Sequence, residues 1–399
     1  MADDIKILTG NYAAGYAAYS AMAQVVAAYP ITPQSPVVEL ISKLVEEKKL
    51  NCNFINVESE HSALAVCINA SLAGARVFTA TSANGLALMH ELLHWAAGSR
   101  LPIVMCCANR GMAAPWTILN DQQDSISQRD TGWIQLYCED NQEIYDTVIQ
   151  AYKIAESLYL PVMVCYDGFI LSHRSMPVKI ETQKKIAEFL PEYQPLVEFN
   201  PDNPQNINPV VLSEKMFNKN NELKNGYMEF RKKLQDTLLE ALTIIPQINN
   251  EYLQKFNRCY GDGLIKSYKL NDAEYLIITL GSLGAEALEA IELLRKKNIK
   301  IGLVNVKTYR PFPKTKILEI LKNKKTAVVF EKNISYGFEG ALSADIKAAV
   351  YEINNAPKIQ SVICGLGGRN VSFYEIADTT EKIIKNEISD NREYWLRTD

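Results

Sequence analysis

The chain has 399 residues, enough for two or three domains of about 150 residues each. Its 47% hydrophobic and 22% charged residues are the balance of a soluble globular protein with a large core. Lys and Arg number 42 against 46 Asp and Glu, a net charge of −4 that excludes nucleic-acid binding by overall basic charge. No apolar run reaches the ~18–20 residues of a membrane span. The opening MADDIKILTG lacks a basic stretch followed by an apolar one, so the expectation is a cytoplasmic protein.

Residues 12–28 (YAAGYAAYSAMAQVVAA) are Ala-rich and predict a helix ending before Tyr29-Pro30, where proline imposes an extended turn. The loop that follows carries Pro30, Pro33 and Pro36, whose fixed φ makes it stiff. It either holds the Thr32 hydroxyl in place or simply joins two helices with Ser35 as an N-cap. A strand at 54–57 leads to a helix at 59–73, a strand at 76–81 to a helix at 84–97, and a continuously apolar strand spans 102–108. After an irregular segment come a helix at 141–158 and a strand at 161–166. This β-α-β alternation predicts a parallel sheet flanked by helices.

Composition then shifts. Residues 181–256 hold Pro191, Pro195, Pro201, Pro204 and Pro209 among many Asn and Lys, with one helix-like run at 215–244, and read as a connecting arm. A second alternation follows, with strands at 275–280, 301–306, 327–330 and 358–363 and helices near 284–297, 313–323 and 338–353. The expected fold is α/β, two open and mostly parallel doubly wound sheets in units of 1–180 and 257–399 joined by the arm at 181–256.

Open parallel sheets bind ligands beyond the carboxyl ends of their strands. In the first unit those ends fall at residues 29–33, 58–61, 81–85 and 109–111. Glu58 suits a helix cap or dipole partner. Glu60 runs into His-Ser-Ala-Leu-Ala-Val-Cys, apolar surroundings in which a carboxyl group is either structural or able to exchange a proton with a ligand nitrogen. Arg110 follows a buried strand and suits either bidentate capture of a carboxylate or an ordinary surface position. The polar stretch 120–124 and the stretch 129–132 are too long for a simple turn.

Other signals are weaker. The eight cysteines form no Cys-x-x-Cys pair, which argues against a disulfide framework and against an iron–sulfur cluster held by this chain alone. His90 and His94 have zinc-like i, i+4 spacing but no evident third ligand, so no metal is expected. Gly261-Asp262-Gly263 lacks both the preceding apolar strand and the later Asn of a magnesium–diphosphate motif. Gly281-Ser282-Leu283-Gly284 fits a close strand-to-helix turn better than an anion cradle.

YPITPQSPVVE, VESEHSALAVC, FTATSANGLALMHE, LPIVMCCANR, NDQQDS with RDTGWIQLY, and PVMVCYDGFILSH together resemble the alpha subunit of the pyruvate:ferredoxin oxidoreductase (pyruvate synthase) family. GSLGAEALEAI and VKTYRPFP continue the resemblance into the second unit, and only the arm matches loosely. It implies a pyrimidine-binding thiamine-diphosphate domain joined to a transketolase C-terminal-like domain. The implied reaction is oxidative decarboxylation of a 2-oxoacid, with the acyl group passing to coenzyme A and electrons passing through iron–sulfur clusters to ferredoxin. A beta subunit would hold the diphosphate with Mg2+, and beta, gamma and delta partners would carry the clusters. PITPQS is closer to members that use pyruvate than to those that use 2-oxoglutarate; a branched-chain oxoacid, or a scaffold without chemistry, is the alternative.

Position by position, Glu60 matches the glutamate that hydrogen-bonds N1′ of the aminopyrimidine, with Pro30 and Ile31 beside the cofactor. Thr32 and Arg110 match the pair that holds the substrate carboxylate and its neighbouring oxygen. Asp121, Gln122 and Asp124 lie in a loop that usually reads Asn-Asp-His-Gln-Asp. Gln122 replaces the histidine, which puts any proton-handling role of that position in doubt.

Overall fold

The computed structural model describes residues 4–195, 226–351, 354–388 and 393–398. Strand β1 (Asp4–Thr9) opens the chain, and helix α1 (Gly10–Ser20) follows it directly. The helix predicted over 12–28 stops there. Met22 takes a left-handed φ of 57°, and residues Val25–Ala28 form strand β2. All four of its residues are buried, a pattern that a buried helix and a doubly covered strand share, and the two β-branched valines settle it as strand.

Next come α2 (Ser35–Glu46), β3 (Asn53–Asn56), α3 (Glu60–Leu72) and β4 (Val77–Thr81). The Pro-rich loop is therefore a strand-to-helix connection. Gln34, not Ser35, is the N-cap of α2, with Pro36 in its first turn where a missing N–H costs nothing. The helix predicted over 84–97 is two, α4 (Ala83–Leu88) and α5 (His90–Gly98), meeting at Met89 with no Pro to announce the break. Then follow β5 (Val104–Asn109), α6 (Gln123–Ile126), β6 (Ile134–Tyr137), α7 (Asn141–Leu158), β7 (Val162–Asp167), β8 (Ser175–Ile180) and α8 (Gln183–Phe189).

Strands β2 to β7 make a parallel sheet in the spatial order β3-β2-β4-β5-β7-β6. Strands β1 and β8 pair separately and antiparallel. The predicted helix at 215–244 begins outside the described residues. The described helix α9 spans Tyr227–Phe256, 30 residues long, and tolerates Pro246. Its length follows from the inward row of Leu234, Ala241, Ile245, Ile248, Tyr252 and Phe256 rather than from propensity. Pro201, Pro204 and Pro209 lie outside the described residues.

The remainder comprises β9 (Ile265–Tyr268), β10 (Tyr275–Leu280), α10 (Leu283–Lys296), β11 (Ile301–Val306), β12 (Thr308–Arg310), α11 (Lys314–Leu321), β13 (Thr326–Glu331), α12 (Ala341–Val350), β14 (Lys358–Ile363), α13 (Phe373–Ile384) and β15 (Tyr394–Trp395). The second sheet runs β15-β14-β13-β10-β11-β9, parallel except for β9. Strand β12 leaves this region and extends the first sheet antiparallel to β6. Among the described residues no helix is long and apolar enough to cross a membrane.

Candidate active site

Helix α3 begins with the Ser59 hydroxyl accepting the Ser62 N–H at 3.2 Å, an ordinary N-cap. Glu60 is its first residue, and its side chain is 6% exposed. The carboxylate lies over the first turn of α4, and Gly85 makes this possible. A Cβ there would stand 2.4 Å from Glu60 Oε1 and 2.6 Å from Thr81 Oγ1. Among the described residues Glu60 accepts no hydrogen bond. A buried carboxylate without partners is uncommon, and it is the first mark of a site here.

Arg110 follows β5 and is also 6% exposed. Its backbone N–H donates to Asp124 Oδ2 at 3.0 Å, its Nη1 to the Thr32 carbonyl at 2.6 Å and its Nε to the Thr117 carbonyl at 3.2 Å. These neutral acceptors orient the guanidinium without cancelling its charge. Nη2 is left without a partner among the described residues. Thr32 and Pro30 are exposed and Ile31 is half-buried. The loop is anchored by Asn11, which donates to the Pro33 carbonyl at 2.7 Å and accepts from the Tyr166 hydroxyl at 2.9 Å.

The 120–124 stretch splits between two tasks. Asp124 is fully buried and accepts from Ala83 N at 2.9 Å, Asn109 Nδ2 at 2.7 Å and Arg110 N at 3.0 Å, tying the ends of β4 and β5 together. Burial pushes its pKa up against these hydrogen bonds. Asp121 and Gln122 turn to the second sheet. Asp121 accepts from Gly367 N at 3.4 Å, and burial together with the charge of Asp124 raises it to about 6. Gln122 donates from Nε2 to the Leu280 carbonyl at 3.2 Å and from its backbone to the Lys332 carbonyl at 2.8 Å. Gln122 is thus a contact between the two sheets.

Sequence reasoning missed three features of this region. Gly85 and Thr81 lie in the cluster at 81–85, where residue types reveal neither the space Gly85 leaves nor the partner Thr81 lacks among the described residues. The third is a buried ion pair between the two sheets, Lys332 Nζ to Asp167 Oδ2 at 2.8 Å, with Ser282 bonded to both. No local pattern announces a pair 165 residues apart. The Gly261-Asp262-Gly263 stretch is a turn in which Asp262 Oδ1 accepts from Leu264 N at 3.0 Å and Ile265 N at 2.9 Å. Gly284 is a close helix–strand approach, since its Cβ would meet Asn305 Nδ2 at 2.1 Å. His90 and His94 stack edge to face at 5.0 Å, and no group of three metal-binding side chains occurs among the described residues.

A guanidinium after β5 and a buried carboxylate after β3 are therefore held at the carboxyl ends of strands of one parallel sheet. Exposed apolar side chains occur at Tyr29 in the loop of Thr32, at Leu88 on α4, and at Trp116 and Ile118 in the segment after Arg110. The sequence pattern described as "Pyruvate flavodoxin/ferredoxin oxidoreductase, thiamine diP-bdg" matches residues 16–238, and that of "Pyruvate:ferredoxin oxidoreductase core domain II" matches 273–376. The chain belongs to the pyruvate:ferredoxin oxidoreductase family.

Relatives within the family carry different names. Ketoisovalerate oxidoreductase subunit VorA of Pyrococcus horikoshii is 44% identical over 98% of this chain and 97% of its own. Pyruvate synthase subunit PorA of Methanocaldococcus jannaschii is 43% identical over 98% of both. The structure of 2-oxoglutarate:ferredoxin oxidoreductase from Magnetococcus marinus superposes with a TM-score of 0.69 at 21% identity, covering 96% of this chain and 66% of that one. A split-gene transketolase superposes at 0.55 and 13% identity, covering 95% and 99%. These two likenesses concern the fold. The chain is thus a subunit of a 2-oxoacid:ferredoxin oxidoreductase built on a thiamine-diphosphate-binding fold.

Proposed function

We propose that this chain is the alpha subunit of a complex that converts pyruvate and coenzyme A to acetyl-CoA and CO2, passing two electrons to ferredoxin, and that runs reversibly. The single observation that carries the assignment of roles is the unpartnered Glu60 carboxylate seated over Gly85 at the same sheet edge as Arg110. Thiamine diphosphate, when bound, supplies the carbon nucleophile that adds to the oxoacid carbonyl and the electron sink for loss of CO2. The residues present suit its aminopyrimidine: a buried carboxylate with free lone pairs, with Pro30 and Ile31 assigned to the cofactor by the resemblance. Glu60 holds and returns a proton at the ring nitrogen N1′. Arg110 supplies the countercharge for the oxoacid carboxylate, and Thr32 orients the neighbouring oxygen. Arg110 is pre-positioned by two carbonyls and Asp124, so little ordering is left to be done when substrate arrives.

The diphosphate and its Mg2+ fall to a beta subunit, because the Gly261-Asp262-Gly263 turn spends its aspartate on its own backbone. The iron–sulfur clusters belong to beta, gamma and delta partners, and the apolar rim of Tyr29, Leu88, Trp116 and Ile118 suits a subunit contact. Residues 1–180 form the pyrimidine-binding unit and 257–399 the transketolase C-terminal-like unit, with the arm between. A second reading keeps the machinery and changes the substrate to a branched-chain oxoacid; the VorA likeness favours it as much as PorA favours pyruvate.

The test is viologen reduction by the purified complex with coenzyme A and either pyruvate or 3-methyl-2-oxobutanoate. A kcat/KM higher for pyruvate is expected, and the reverse order transfers the assignment to the branched-chain reading. Undiminished turnover in a Glu60→Ala complex would refute the role of Glu60 and return the chain to a scaffold. The isolated chain is expected to show no decarboxylation at all.

A further inference from the structure

Thr81 ends β4 with its hydroxyl fully buried and, among the described residues, without a hydrogen-bond partner. Buried hydroxyls normally find a partner, and one left alone points to a partner absent from its present surroundings. Its neighbourhood identifies that partner. Thr81 Oγ1 and Glu60 Oε1 flank one point, the place a Gly85 Cβ would occupy, at 2.6 and 2.4 Å. Neither oxygen is bonded to the other or to anything else described. The backbone around them is held firmly: Ser82 Oγ donates to the Ala108 carbonyl at 2.6 Å, and Asp124 fixes Ala83 N.

We propose that Thr81 is a positioning residue for Glu60. Its hydroxyl turns to donate to the carboxylate oxygen nearest Gly85, leaving the second oxygen for the cofactor ring nitrogen, while Gly85 keeps the space between them open. The inference rests on the reading of Glu60 given above and adds a second group that governs its basicity. A donor to the ionised carboxylate favours that form and lowers its affinity for a proton. Removing the donor makes Glu60 more basic, and the proton shared with the ring nitrogen is released only at higher pH.

The experiment uses the assembled complex loaded with thiamine diphosphate and follows, across pH, the circular-dichroism band of the imino tautomer of the bound aminopyrimidine. Thr81→Val, which keeps shape and removes the hydroxyl, moves the midpoint upward by about one pH unit, the scale of one hydrogen bond to a charged group. Thr81→Ser restores it. Thr79→Val, which removes another buried unpartnered hydroxyl from the same strand, leaves it in place. Should the Val complex not assemble, Thr81→Ala against Thr81→Ser makes the same comparison. A midpoint unmoved in Thr81→Val or Thr81→Ala, or a Ser variant that shifts as far as they do, overturns the inference. Glu60→Gln separates the two layers. It abolishes the titration if Glu60 is the ring partner, and a titration that survives it overturns the reading of Glu60 itself.

Discussion

Glu60 and Glu331 occupy similar places in the two sheets. Each lies just beyond or at the carboxyl end of a parallel strand, each is buried, and each needs a glycine to make room. A Cβ on Gly85 would strike Glu60 Oε1, as one on Gly340 would strike Glu331 Cδ at 1.9 Å. Their hydrogen bonding is opposite. Glu331 accepts from Leu342 N at 2.8 Å, from Ser343 N at 3.2 Å and from the Ser343 and Ser361 hydroxyls, closing the N-terminus of α12. Glu60 accepts none. A carboxylate at a strand end is therefore no site in itself. Saturation makes one a structural cap, and unsatisfied capacity, at roughly 1–3 kcal/mol of forgone stability, leaves the other open to a ligand.

The sharpest way to break this contrast is the same isosteric change at both positions. Glu60→Gln is expected to cost the complex about 10²–10⁴ in kcat, the span of a general acid–base group, while the thermal midpoint stays or rises. Glu331→Gln should leave kcat within about twofold while the neutral amide bonds more weakly to the donors of α12. Equal losses of kcat at the two sites would erase the distinction. Gly85→Ala comes next. The clash falls on the movable end of Glu60, so the chain should fold while kcat drops about 10–100-fold through misplacement. Arg110→Lys follows, with the KM for the oxoacid up about tenfold and kcat less affected, because an ammonium cannot serve the Thr32 and Thr117 carbonyls and still present a planar fork. A lysine variant with unaltered KM would remove Arg110 from substrate binding.

Much of the first sheet was legible because its strands are short apolar runs set between helices, and the core of each predicted strand was found. The errors lie where burial hides period. Val25–Ala28 carries no alternation, so an Ala-rich helix and a covered strand look alike until Met22 breaks the helix. Strand β12 was invisible for another reason: three residues owe their conformation to β6, more than 170 positions away in sequence. At the site, Glu60, Thr32 and Arg110 lie on segments the pattern marked, and Arg110 meets Thr32 directly. Gln122 did not follow the loop's sequence logic, because a loop between two sheets divides its side chains by which sheet each one faces. Gly85 and Thr81 were unreadable, since the information they carry is a space and a missing partner.

The smallest effect concerns Glu331 and its pH dependence. Burial raises its carboxyl from an ordinary 4.5 to about 7, against four hydrogen bonds that pull it down. The folded chain thus binds this proton more tightly than the unfolded chain, so the stabilisation is complete below about 4.5 and is lost as pH rises through about 7. Between about pH 6 and about pH 8 the loss amounts to about 1 kcal/mol. Glu331→Gln, which cannot titrate, should flatten thermal-midpoint curves over that interval while leaving the Glu60-dependent pH profile of turnover unmoved. A residual slope at lower pH should persist from Asp121, raised in the same direction from 3.8 to about 6. If the variant and the native chain lose stability in parallel across the interval, the saturated carboxylate is ionised throughout. The contrast between the two glutamates would then rest on hydrogen bonding alone.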